Sequence, residues 1–244
     1  MKKAGIWGTL HPFFEDGPVF GRKMANTGFL AALLRADPFE SYHFFIRNLG
    51  MKLYLEKRLQ ADYPEMWKEG RFKVGPVAWL PEALAANHYS CFHLSDWVGS
   101  FVDLSILRNA FSGRIFPITA PVHTLSYAHY GEAFLRHLWG GVSGRERIVA
   151  TSEATRGVIA GYFGQLRREY RLDEAVFPAP GVARIPLAVE PAQFAAPKEK
   201  TSSGGASGAS SDSAKTRSCS CLSPGYPISR KWIFCPYWTL FAGP

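Results

Sequence analysis

Short apolar runs alternate with segments of helical period through most of this chain, and that alternation decides what it can fold into. Apolar, strand-like runs occur at Gly5-Ile6-Trp7-Gly8, 42–46, 89–94, 115–119, 147–151 and 184–187. Between them, apolar residues recur every three or four positions over 22–35, 51–60, 98–110 and 131–139. Ser152-Glu153-Ala154-Thr155 reads as a capped helix start with an acid in its first turn, running to about residue 163. Residues 71–80 read as a short strand with a turn at Gly75-Pro76, and 81–86 as one or two helical turns. Strand–helix alternation of this kind makes parallel βαβ units. The expected class is therefore α/β: a Rossmann-like open parallel sheet with helices on both faces. Pro117 sits awkwardly in its run, because proline cannot donate to a sheet ladder.

In such a sheet, ligands bind beyond the carboxyl ends of the strands. The first strand-to-helix connection carries Gly17-Pro18 and Gly21, followed by Arg22 and Lys23. Glycines let a backbone approach a ligand closely, and a helix start attracts an anion. Gly17, Gly21, Arg22 and Lys23 are thus candidate phosphate-binding residues. Their spacing fits neither G-x-G-x-x-G nor the P-loop lysine motif. Four polar groups fall at strand ends: His11 with Glu15 and Asp16, His93 with Asp96, His123 with Thr124 and Ser126, and Ser152-Glu153. His93, Asp96, Ser152 and Glu153 are candidate substrate-binding residues. No serine elbow and no metal-spaced His/Cys cluster accompanies them.

The net charge of +8 suggests nucleic acid until it is divided along the chain. Residues 198–244 hold six Lys/Arg and two acids. That leaves 22 basic and 18 acidic residues in 1–197, a mild excess with no basic run, so nucleic-acid binding is not expected. Cys91 reads as a buried small hydrophobe, while Cys219, Cys221 and Cys235 match no usual zinc spacing. Lys2-Lys3 precede an apolar run too short for a signal peptide, and no run reaches transmembrane length. A cytoplasmic protein is expected.

From about residue 198 the composition changes. Residues 201–214 are a Ser/Gly-rich, low-complexity run, and the last thirty residues lack helical or strand period. Two regions are expected: a Rossmann-like domain at 1–197 and a non-native or disordered tail at 198–244.

Trp7-Gly8-Thr9 with the glycine loop, Ile118-Thr119 with Val122-His123-Thr124, the run from Ile148 to Ser152, and the run from Ile185 to Phe194 occur in order. Together, over residues 3–197, they resemble the N-terminal half of a retaining, family-four type GT-B fold glycosyltransferase. The last run departs from that family's pattern at Ala188 and Glu190. The resemblance implies sugar transfer from a nucleotide-sugar donor to a sugar or lipid-linked acceptor, with peripheral membrane contact and no obligate protein partner. It implies no metal and no cofactor besides that donor, and it makes His123 the catalytic residue of the cleft. The donor-binding second domain would be missing, leaving this chain inactive alone. An offset reading of the codons for residues 228–239 permits a helix-like peptide, which fits a frameshift near residue 200. Two other readings of the same strand-end face stay open. One is a non-catalytic sugar- or protein-binding module; the other is a single-domain nucleotide-binding enzyme.

Overall fold

A computed structural model describes residues 3–14, 21–127 and 130–188 of the chain. Gly17, Glu15, Asp16 and the tail beyond residue 188 lie outside the described residues, as does most of the run from Ile185 to Phe194. Seven strands alternate with helices: β1 (Ala4–Thr9), α1 (Gly21–Ala36), β2 (Phe39–Ile46), α2 (Leu49–Asp62), α3 (Pro64–Lys68), β3 (Phe72–Pro76), α4 (Leu80–Ala86) and β4 (Tyr89–His93). They continue as α5 (Phe101–Phe111), β5 (Ile118–Pro121), α6 (Tyr130–Trp139), β6 (Arg147–Ala150), α7 (Glu153–Tyr170) and β7 (Gly181–Arg184). Every pairing is parallel, and the sheet order is β3-β2-β1-β4-β5-β6-β7. This is a Rossmann-like sheet: it grows one way from β1 to β3, then reverses and grows the other way from β4.

Right-handed crossovers send the helices of the two halves to opposite faces. Leu30 and Leu34 of α1 join Leu55 and Leu59 of α2 in one core. Leu84 of α4, Leu104 of α5, Phe134 of α6 and Phe163 of α7 join the other. Strand β2 shows why both faces are dry. Tyr42, Phe44 and Ile46 enter the first core, while Phe45 enters the second. His43 shares the side of Phe45 and is satisfied there by the Tyr89 hydroxyl, 3.0 Å from its Nδ1. Burial holds its proton affinity down, at a pKa of about 4.

Gly8 is required by close packing between β1 and β4. It pairs with Phe92, and a Cβ at Gly8 would fall 2.4 Å from that ring. At the opposite end of the sheet, Arg108 of α5 and Glu146 form a fully buried ion pair. Arg108 also donates to the Phe116 carbonyl at 2.8 Å, and Glu146 accepts from the Ser143 amide at 2.8 Å. The pair fixes the entries to β5 and β6.

Several sequence expectations shift in place. The run at 115–119 starts its strand only at Ile118, because Pro117 lacks an N–H; its carbonyl still accepts from Phe92 at 2.9 Å. The last strand ends at Arg184 rather than 187, where Pro186 interrupts and Ile185 and Leu187 turn outward. Helix α7 runs on to Tyr170 and closes on Arg171 in the left-handed region. Helix α3 has no counterpart in the sequence reading; Pro64 at its first turn starts it. The described residues fall within one unit, Met1–Ala188. Among them, no helix is long and apolar enough to cross a membrane.

Candidate functional site

Strand order places the reversal point between β1 and β4, and the loops leaving their carboxyl ends flank it. The loop after β1 brings His11, held by its own amide to Thr9 Oγ1 at 3.2 Å. Strand β4 ends in His93, followed by Ser95 and Asp96. The loop after β5 brings His123. One buried peptide ties the outer two together. The Ser95 amide donates to His11 Nδ1 at 2.9 Å, and its carbonyl accepts from His123 Nε2 at 2.9 Å. A carbonyl only accepts, so His123 carries a proton on Nε2. His11 Nδ1 accepts, so the neutral His11 ring carries its proton on Nε2.

His93 sits between them on β4. Thr119 is its cross-strand partner on β5, and Thr119 Oγ1 lies 2.7 Å from His93 Nδ1. Phe29 of α1 stacks on the His93 ring at 4.2 Å, and Phe13 lies 5.9 Å away. Phe13 is buried with φ 61°, a conformation costly for a bulky residue; it is anchored against Trp7 and accepts at its carbonyl from Thr27 Oγ1 of α1.

Burial dominates the electrostatics. It lowers His11 to a pKa of about 4, with Asp96 opposing and Arg47 and Arg22 reinforcing. It lowers His93 to about 3, helped by the charges of His11 and His123. Both rings are therefore neutral at pH 7, and a neutral imidazole can give or take a proton according to its tautomer.

The remaining candidates separate cleanly. Gly21 is the first residue of α1, and a Cβ there would meet open space. Arg22 and Lys23 follow in the first turn, and the Arg22 charge is felt by both His11 and Tyr130. Asp96 is turned partly to its own loop, its Oδ1 accepting from the Val98 amide at 2.7 Å. Ser152 caps α7, accepting from the Thr155 amide at 3.1 Å, and Glu153 pairs with Arg156 in the same turn. Those two serve their own helix, beyond β5. Sequence reasoning missed Ser95, whose backbone is the hub, together with Arg47 and Phe29. A backbone role leaves no side-chain signature to read. A surface hollow of about 400 Å³ lined by Tyr89, Arg114, Phe116 and Arg145 lies at the amino ends of β4 and β5, away from this chemistry. Among the described residues, no group of three His, Cys, Asp or Glu is placed to hold a metal ion.

No family model matches the chain, and no curated protein does. A solved structure matches, the crystal structure of AnUbiX (PadA1) in complex with FMN and dimethylallyl pyrophosphate. It is 10% identical, the match covers 72% of this chain and 96% of that one, and the TM-score is 0.34. The glycosyltransferase reading is corrected on this finding. The matching protein binds FMN and a prenyl pyrophosphate, so the expected GT-B family, nucleotide-sugar donor, sugar or lipid-linked acceptor and absence of a cofactor are withdrawn. The catalytic role given to His123 loses the family resemblance as a support and keeps its strand-end position, where its Nε2 donates to the Ser95 carbonyl. A likeness at this TM-score gives this chain no ligand of its own.

Proposed function

We propose that this chain is a single-domain nucleotide-binding enzyme whose site lies at the carboxyl ends of β1, β4 and β5. One observation supports the reading above all. At the reversal point of the sheet, the Ser95 peptide holds His11 on one side and His123 on the other, with His93 between. The loops after β1 and β5 converge on one peptide of the loop after β4, where an open α/β sheet takes its ligand. Arg22 and Arg47 act on the same histidine, which favours a phosphate-bearing ligand. The neutral imidazoles then serve as proton donor and acceptor. We place the protein in the cytoplasm, where the free thiol of Cys91 stays reduced.

Titration of the full chain with pyrophosphate, AMP and FMN, followed through histidine imidazole resonances, tests this. Saturable shifts at His11 and His93 are expected, with binding weakened about tenfold or more in Arg22→Ala. If none of the probes binds, or if all bind equally well to a folded His11→Ala/His93→Ala variant, the reading fails.

A further inference from the structure

Helix α1 carries one residue that its packing does not explain. Asn26 is only 2% exposed, and its Nδ2 has no hydrogen-bond partner among the described residues. A buried amide donor without a partner is costly, and an apolar side chain would suit the position better. Its place on the helix gives the reason for keeping it. Arg22, Asn26, Leu30 and Leu34 follow at intervals of four and form one stripe. Leu30 and Leu34 are buried in the core beneath α1. Arg22, one turn nearer the helix start, acts electrostatically on His11 and Tyr130. Phe29, three residues on from Asn26, stacks on His93. Asn26 is thus about 6 Å along the axis from both Arg22 and Leu30, at the level where the stripe passes from core to strand-end histidines.

We propose that Asn26 is a ligand-binding residue of this site, its Nδ2 donating to a phosphate oxygen of the bound molecule. This rests on the reading of the strand-end face as a phosphate-ligand site. Asn26 Nδ2 and the Arg22 guanidinium are both donors on this stripe, and the start of α1 adds its own positive end, a combination suited to an oxyanion.

The test uses the full chain labelled with ¹⁵N, with the Asn26 side-chain amide pair assigned by its absence in Asn26→Leu. Pyrophosphate and AMP are titrated into the wild type and the variant. The Asn26 amide is expected to shift at the same probe concentrations as His93. Asn26→Leu is expected to bind about tenfold to a hundredfold more weakly, and to melt no lower than wild type without probe. Asn26→Ala is read the same way should the leucine variant fail to fold. Wild-type probe binding with an unmoved Asn26 amide, or equal affinity in the variants, overturns the proposal and leaves the phosphate site standing. A variant that melts well below wild type without probe also overturns it, because the amide is then structural. Failure of the wild type to bind either probe overturns this proposal, and the phosphate site falls with it when FMN does not bind either.

Discussion

Acid should unfold this protein well before its carboxylates are protonated, through four histidines. His11, His43 and His137 are held at pKa values of about 4 and His93 at about 3, each mainly by burial, against 6.5 in an unfolded chain. The unfolded chain therefore binds more protons below pH 6.5, and stability falls with pH from about 6.5 to about 4 for His11, His43 and His137 and on to about 3 for His93, where the loss is complete. Between pH 7 and pH 5 each unfolded histidine takes up nearly a full proton that its folded counterpart refuses. At about 1.4 kcal/mol per pKa unit this is roughly 2 kcal/mol each. Four together give about 7 kcal/mol, a ceiling because His11 and His93 are only partly shielded from water. Against a typical stability of about 5–15 kcal/mol, that leaves a marginal fold at pH 5. Urea unfolding followed by tryptophan fluorescence at half-unit steps of pH measures it. The slope near pH 5 should correspond to about four protons, and His137→Leu should remove one. Stability that stays flat from pH 7 to pH 5, or a slope indifferent to His137→Leu, would refute the reasoning.

Two further perturbations act on the core, one through a buried charge and one through packing. Glu146→Gln leaves Arg108 charged and unpaired at 0% exposure, and should cost about 3–5 kcal/mol by chemical denaturation; a loss under 1 kcal/mol would show that the pair is dispensable. Gly8→Ala drives a methyl into the Phe92 ring and should cost about 1–3 kcal/mol; Phe92→Leu in the same chain should cost less than it does beside Gly8, and strict additivity would contradict the contact.

Much of the fold is legible because its determinants are local. The period-two alternation of Tyr42, Phe44 and Ile46 against His43 and Phe45 already says that both faces of β2 are covered. Ser152 announces α7 through a cap that the structure shows accepting from Thr155. Boundaries fail where the decisive group is a missing one, as at Pro117 and Pro186, or where a short helix such as α3 rests on a single proline. The strand-end histidines could be placed on one edge from topology. What could not be read is the Ser95 peptide, since any residue but proline offers the same N–H and C=O. Phe29 stacking on His93 escaped for another reason: it depends on the tilt of α1 over the sheet, which no spacing encodes.

The position of β1 within the sheet has a consequence for how the chain is made. Its two neighbours do not arrive together: β2 follows directly, whereas β4 comes only after β3 and its helices. Until synthesis has passed His93, the far edge of β1 is a row of unpaired amides and carbonyls, a template for any other extended chain. Closing that edge joins segments far apart in sequence and is the slow kind of step for a parallel sheet. His11 belongs to the early half, and His93 and His123 to the late one. The bonds that gather them at Ser95 cannot form before the nascent edge is capped, and they are complete only when β5 and His123 have followed β4 out, so the site is among the last features of this edge to come into being.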